Sequence, residues 1–413
     1  MNWIVLFLVA ILSASDGAIQ PTHFQHHNYN QLTSFMKQQA ARCPSIMRLY
    51  DIGKSLQGRT LWVMEISDHP GNHEAGEPEM KYVGNMHGNE VTGREILLLL
   101  IEYFCSNYNI DSRVTRLINS VRMHIMPTMN PDGWEKAVEG DWSGTTGRYN
   151  SRGVDLNRDF PTLHDIVIRQ GRYYFDYKAR QQETTLVMNW MNAYPFVLSA
   201  NFHGGALVAS YPLDDTLSGQ SVYSTTPDDD VFRSLAKTYS YAHPTMWKGQ
   251  SCSRNSRSHQ NKSFSNGITN GAAWYAISGG MQDVNYLTTN CFEITIETGC
   301  QKYPYGTSLQ KEWLNHKNAL LKYIEQIHRG IKGFILNSSN QGIYGASLVI
   351  QGRNKIIYAT EYGDYWRLLL PGTYKATVSY PGYISVTKTV TVTSGATKQV
   401  NFTLSRQVYP TGQ

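Results

Sequence analysis

The sequence predicts a large α/β domain built on a mixed sheet, followed by a small all-β sandwich. From about residue 22 to 330, strand-like apolar runs alternate with longer helical patterns. After Gly330 helical periodicity stops, and short strands separated by Gly, Pro and Asn turns take over. The 413 residues, 41% of them apolar, suit one large unit with one small one.

The first segment, Met1 to Leu12, is an apolar run, and mostly small residues follow from Ser13 to Ala18. This pattern predicts a signal peptide over residues 1–18 and, with it, export to an extracellular destination through the secretory pathway. Only Met1 and Asn2 precede the run, so the α-amino group must supply the n-region charge. The run is shorter than the ~20 apolar residues of a spanning helix, and no later stretch is long and apolar enough to span.

Strands are expected at Thr60 to Ile66, Lys81 to Gly84, Val121 to Pro127, Phe196 to Phe202 and Cys291 to Glu297. Gly93 to Tyr108 carries Ile96, Leu97, Leu99, Leu100, Ile101 and Phe104 among polar positions, which predicts a helix lying on the sheet. A second long helix is expected from Lys311 to Arg329. Beyond Gly330 the expected strands begin at Gly333-Phe-Ile, Ala346-Ser-Leu-Val-Ile, Trp366-Arg-Leu-Leu-Leu, Gly372-Thr-Tyr-Lys-Ala-Thr-Val and Val400 to Leu404.

The net charge of +5 is spread along the chain without a Lys/Arg block, which excludes a nucleic-acid stripe and a polybasic membrane anchor. Cys43, Cys105, Cys252, Cys291 and Cys300 show no C-x-x-C spacing, so they argue against a structural zinc cluster. In an exported protein they predict two disulfides and one leftover thiol, with the pairing open. Sequons at Asn261, Asn337 and Asn401 are compatible with export.

His87-Gly-Asn-Glu90 follows the strand-like Lys81-Tyr-Val-Gly and precedes a helix. It therefore sits at a strand's carboxyl end, where open α/β sheets place their sites. A His and a Glu three residues apart can both reach one ion, and a catalytic zinc takes three protein ligands and leaves a fourth position for water. Taken alone, H-x-x-E is common by chance and reads first as a surface polar turn. A third ligand is required, and His203, in Ser199-Ala-Asn-Phe-His-Gly-Gly, also closes a strand and opens onto glycines, the second such histidine in the chain. His124, inside a strand, and His164, in a stretch that reads as helical, lack that setting.

These residues, with Pro131-Asp-Gly, Gly147-Arg-Tyr-Asn, Gly153-Val-Asp-Leu-Asn-Arg158, Gly279-Gly-Met-Gln-Asp, Asn285-Tyr-Leu-Thr-Thr-Asn-Cys-Phe-Glu and Thr295-Ile-Glu-Thr, resemble the zinc metallocarboxypeptidases, specifically the carboxypeptidase N/E subfamily. The resemblance covers nearly the whole chain. It implies a catalytic domain over 19–330 with helices on both faces of a mixed sheet, a transthyretin-like sandwich over 331–406 and a short tail over 407–413.

It also implies one zinc ion per chain, held by His87, Glu90 and His203, and removal of single residues from peptide and protein C-termini. Glu297 would act as general base and acid. Arg148 would face the developing oxyanion. Asn157 and Arg158 would bind the terminal carboxylate, a guanidinium offering paired donors to its two oxygens. Tyr275 matches the family's mobile tyrosine that closes over the terminal residue. The pocket for the departing side chain corresponds to Asp214 and Gln282, a carboxylate and an amide that suit Lys or Arg. An apolar residue in place of Gln282 would suit aliphatic or aromatic termini.

Fewer than about ten residues separate the cleavage region from the catalytic domain, leaving no room for an inhibitory pro-domain. The C-terminus lacks an apolar GPI tail and a membrane-associating helix, so a soluble monomer without a stable membrane anchor is expected. Asp159 stands where relatives usually show Asn, placing an extra negative charge near Arg158. Two rival readings remain: a catalytically inactive binding protein on the same scaffold, and the same enzyme with apolar C-terminal preference.

Overall fold

The computed structural model describes residues 18–169, 172–175, 179–252 and 262–407. The expected signal segment up to residue 17, Asn261 and the tail from residue 408 lie outside them. The strands of the first unit are β1 (Met47–Lys54), β2 (Thr60–Ile66), β3 (Glu79–Gly84), β4 (Arg122–Met126), the hairpin β5 (Ile166–Arg169) and β6 (Arg172–Phe175), β7 (Phe196–His203), β8 (Ala206–Tyr211), β9 (Ile268–Asn270) and β10 (Phe292–Gly299). Eight of them form one sheet in the order β1-β2-β4-β3-β7-β10-β8-β9.

Its centre, β4-β3-β7-β10, is parallel; on one flank β1 and β2 run antiparallel to their neighbours, and on the other β8 runs antiparallel to β10 and pairs with β9 in parallel. Parallel strands must be covered on both faces, so alternate side chains enter different cores. Tyr82 packs into the larger core, with Ile96, Leu97 and Leu320, while its neighbour Val83 enters the other, with Trp190, Met191, Met281 and Val284.

The helices are α1 (Tyr29–Arg42), α2 (Thr92–Asn107), α3 (Ser112–Ile118), α4 (Pro131–Trp134), α5 (Gln182–Ala193), α6 (Asp229–Ala242), α7 (Gly271–Trp274), α8 (Met281–Thr288) and α9 (Leu309–Ile324). Residues of α2, α6 and α9 fill the first core, and residues of α5 and α8 fill the second. The helix expected through Arg329 leaves α geometry at Ile324 and continues as a tighter 3₁₀ turn over Glu325–His328. His164 lies in a turn before β5 and not in a helix.

Cys43, which caps α1, is bonded to Cys105 on α2, and Cys252 is bonded to Cys300 just beyond β10. Cys291 is a buried free thiol, so the cysteines divide as expected.

The second unit is a sandwich of β11 (Ile331–Asn337), β12 (Ser347–Ile350), β13 (Arg353–Tyr358), β14 (Asp364–Arg367), β15 (Gly372–Ser379), β16 (Val386–Val392), β17 (Lys398–Gln399) and β18 (Phe402–Leu404). One sheet runs β14-β11-β17, with β18 also on β11, and the other runs β13-β12-β15-β16. The strand expected from Trp366 to Leu370 stops at Arg367, and Leu368 and Leu369 instead leave the sheet to fill the core.

Buried charge joins the two units. Arg367, with no exposed surface, places Nη2 2.7 and 2.9 Å from the two oxygens of Asp228 before α6. His73, between β2 and β3, lies 2.6 Å from Glu79 Oε1 and 3.3 Å from Asp364 Oδ2 and stacks on Tyr362. Burial disfavours its charged ring, but Asp364 and Glu79 outweigh burial and raise it to about 9. A raised folded-state value stabilises the fold below the unfolded value near 6.5 and ceases to do so as pH rises through about 9. The Tm gap between wild type and His73→Gln should therefore be widest below pH 6.5 and close above pH 9, as a calorimetric pH series would show. A gap independent of pH would contradict it.

Candidate active site

The carboxyl ends of β3, β7 and β10 point to one place. In the parallel register His203 stands directly beside Glu297, and Gly84 beside Phe202, so the loop leaving β3 arrives next to His203. Asn85, at φ 55°, turns that loop, and its Nδ2 donates to the carbonyls of His87, Gly88 and Glu90. Gly88 lies so close to the neighbouring loops that a Cβ would sit 2.3 Å from Gly133 C and Trp134 N.

This turn and the end of β7 together aim three donors at one point. His87 Nδ1 and His203 Nδ1 each lie 2.9 Å from Glu90 Oε2 and 3.1 Å from each other. All three residues are buried. A tetrahedral zinc with ~2.0–2.1 Å bonds spaces its ligand atoms about 3.3 Å apart, so the triangle fits such an ion closely. Burial lowers His203 below its ordinary value, favouring the neutral imidazole that a metal requires. Burial alone would raise Glu90, yet His87, Lys302 and His203 hold it well below the usual carboxylate range.

A second row fixes these donors. Asp155 Oδ1 lies 2.9 Å from His87 Nε2, orienting the ring through the nitrogen turned away from the cluster. Arg148 donates to Asp155 Oδ2 through Nε and Nη2, at 3.1 and 2.8 Å, and to Glu90 Oε1 at 3.1 Å. Lys302 Nζ lies 3.2 Å from the same Glu90 oxygen. Sequence reasoning missed Asp155 and Lys302. Asp155 lay inside the quoted Gly153-to-Arg158 motif, but Lys302 has no local signal and arrives through the chain reversal after β10.

Because the turn tolerates no Cβ, Gly88→Ala should cost roughly 1–3 kcal/mol of stability and weaken zinc binding by about 10-fold or more. Thermal unfolding and a zinc titration would check this. Wild-type zinc affinity in that variant would contradict the role given to the turn.

A cavity of ≈ 240 Å³ opens beside the cluster, lined by Arg148, Asn157, Arg158, Asp214, Tyr275 and Glu297 and, unforeseen, by Ser210, Thr295, Trp274, Ile277 and Lys302. Glu297 sits on a central strand, not at a solvated edge, and is 8% exposed. Burial, then repulsion from Glu90, pushes its carboxyl well above the usual range, and its Oε2 has no partner among the described residues. Such a group is suited to exchanging a proton inside the cavity.

Asp214 is 7% exposed, and glycine at 271 makes room for it, since a Cβ there would lie 1.7 Å from Asp214 Oδ1. Burial raises Asp214 to about 7, against the lowering effect of Arg158. Gln282 does not line the cavity; it stands behind Asp214 and donates Nε2 to Asp214 Oδ1 at 2.9 Å. Asn157 is buried and accepts at Oδ1 from Met281 N, whereas Arg158 is exposed. Asp159 directs Oδ2 to the Gln181 amide at 2.7 Å.

Comparison with known proteins shows the family. Residues 32–319 match the family described as zinc carboxypeptidase, and residues 330–405 match the carboxypeptidase regulatory-like domain. The chain is 52% identical to carboxypeptidase D of Anas platyrhynchos over 390 residues, covering 94% of this chain and 27% of that protein. It is 46% identical to the carboxypeptidase N catalytic chain of Mus musculus over 423 residues, covering 95% of this chain and 89% of that one. The chain thus spans about a quarter of the carboxypeptidase D relatives. Among solved structures, thrombin activatable fibrinolysis inhibitor shares the fold at a TM-score of 0.55 and 18% identity, over 73% of this chain and 74% of that one.

Proposed function

Because this chain belongs to the zinc carboxypeptidase family, we propose that it is a secreted metallocarboxypeptidase that releases single Lys or Arg residues from the C-termini of peptides and proteins. The observation that carries the substrate reading is Asp214, a buried carboxylate at the cavity wall with space left beside it by Gly271. We place the catalytic unit at 19–330 and the transthyretin-like sandwich at 331–406, behind a signal peptide at 1–18. The apolar N-terminal run and two disulfides support export, and among the described residues no helix is long and apolar enough to cross a membrane.

His87, Glu90 and His203 would hold the zinc, which would supply polarisation of the scissile carbonyl and an acidified water. Arg158, with Asn157 beside it, grips the terminal carboxylate through paired guanidinium donors and thereby confines cleavage to the chain end. Tyr275 closes over the departing residue. Its cationic side chain meets Asp214, while Gln282 steadies that carboxylate from behind. Glu297 takes the proton of the attacking water and passes it to the leaving amine. Arg148 donates toward the carbonyl oxygen as negative charge develops there.

Peptides ending in Arg and in Phe, otherwise identical, separate this specificity from an apolar preference. Faster release of Arg is expected. Faster release of Phe would overturn the roles of Asp214 and Gln282.

A further inference from the structure

The first turn of α8 organises the far wall of the cavity. The Asp283 carboxylate accepts the amides of Asp214 and Asp215, each at 2.9 Å. Gln282 donates to Asp214 Oδ1 at 2.9 Å, and Met281 N donates to Asn157 Oδ1 at 3.1 Å. One eight-residue helix therefore sets both the carboxylate that reads the side chain and the asparagine of the terminal clamp.

The other end of α8 is held by the sandwich. Lys355 on β13, 5% exposed, donates Nζ to the carbonyls of Tyr286 and Thr289. Just beyond, Asn290 pairs with the backbone of Tyr358 in both directions, at 2.7 and 3.0 Å. A helix this short has little stability of its own, so the two hydrogen bonds from the Lys355 amine, whose burial lowers it to about 7, hold its last carbonyls whether or not the group is charged.

We propose that Lys355 is a positioning residue for the substrate pocket: by anchoring the C-terminal end of α8 it fixes Asp283 and Gln282, and through them Asp214. This rests on the reading of Asp214 as the acceptor of a cationic side chain. Lys355 touches neither substrate nor metal site, so its loss acts on substrate affinity and leaves the zinc donors in place.

The test uses the full chain as Lys355→Met and Asn290→Ala. His73→Gln is the control, because it loosens the same interface at contacts to Glu79 and Asp364, neither of which is on α8. Each is assayed on peptides ending in Arg and in Ala. In Lys355→Met, KM for the Arg-ended peptide should rise about 5- to 10-fold, with kcat within about two-fold and the Arg-over-Ala ratio of kcat/KM reduced. Zinc stoichiometry should stay that of wild type, Asn290→Ala should shift KM in the same direction, and His73→Gln should not. An unchanged KM in folded Lys355→Met overturns the proposal. If that variant does not fold, an unchanged KM in Asn290→Ala overturns it, as does an equal rise in His73→Gln. A wild-type enzyme indifferent to Arg against Ala would refute the reading of Asp214 and take this inference with it.

Discussion

Glu297→Gln should retain zinc and bind peptide while losing about 10²–10⁴-fold in turnover. The amide keeps the size of the side chain at the end of β10, beside His203 in the register, so the donor triangle is undisturbed. What disappears is the carboxylate, whose proton affinity burial and Glu90 raise well above the ordinary value. A group whose proton affinity is raised in this way is suited to accept a proton and give it back within one catalytic cycle. Steady-state kinetics, zinc content by metal analysis and calorimetric binding of a C-terminal peptide together check the outcome. Wild-type turnover in this variant would remove Glu297 from the chemistry, and loss of zinc would assign it a structural role instead.

Asp214→Asn should act on selectivity. Truncating one partner of a buried, hydrogen-bonded charge pair costs roughly 2–5 kcal/mol, so kcat/KM for an Arg-ended peptide should fall by about 30- to 4,000-fold. An Ala-ended peptide makes no such pair and should lose far less. The same carboxyl sets a pH dependence. Burial raises it to about 7, so it is neutral below that pH and ionised above it. Wild-type kcat/KM for Arg-ended peptides should then climb as pH passes through about 7, and this limb should be absent from Asp214→Asn. Equal losses on both peptides would contradict the pocket assignment.

The parts of the fold legible in the sequence are those whose physics is local. Thr60 to Ile66 is bounded by turn residues and coincides with β2, and the apolar runs of β3, β4, β7 and β10 stand out because parallel strands are buried on both faces. β1 escaped detection because Met47–Lys54 is a half-exposed edge with polar residues through it. β16 did so because Val386–Val392 is rich in threonine and largely exposed. The sandwich strand misplaced at Leu368 to Leu370 shows that an apolar run reports burial before it reports pairing.

In the site, the loops carrying His87, Glu90 and His203 were legible because each lies at a strand end and carries its own motif. Lys302 and Ser210 were not, since the tertiary arrangement alone brings them to the cavity. Gln282 was assigned to the right wall at the wrong depth: the first turn of α8 points it at Asp214 and not into the open space. The grip of the sandwich on α8 lies between residues about seventy positions apart, and no local pattern announces such a contact.

The central claim is that a zinc site and a carboxylate clamp together make an exopeptidase. Mass spectrometry of one peptide ending in Arg, prepared with a free C-terminus and as the C-terminal amide, tests it in the native, chelator-stripped and zinc-restored protein. Loss of the single terminal Arg from the free acid alone, abolished by stripping and recovered with zinc, is the predicted result. Internal cleavage, comparable hydrolysis of the amide or undiminished activity after complete removal of zinc would contradict it.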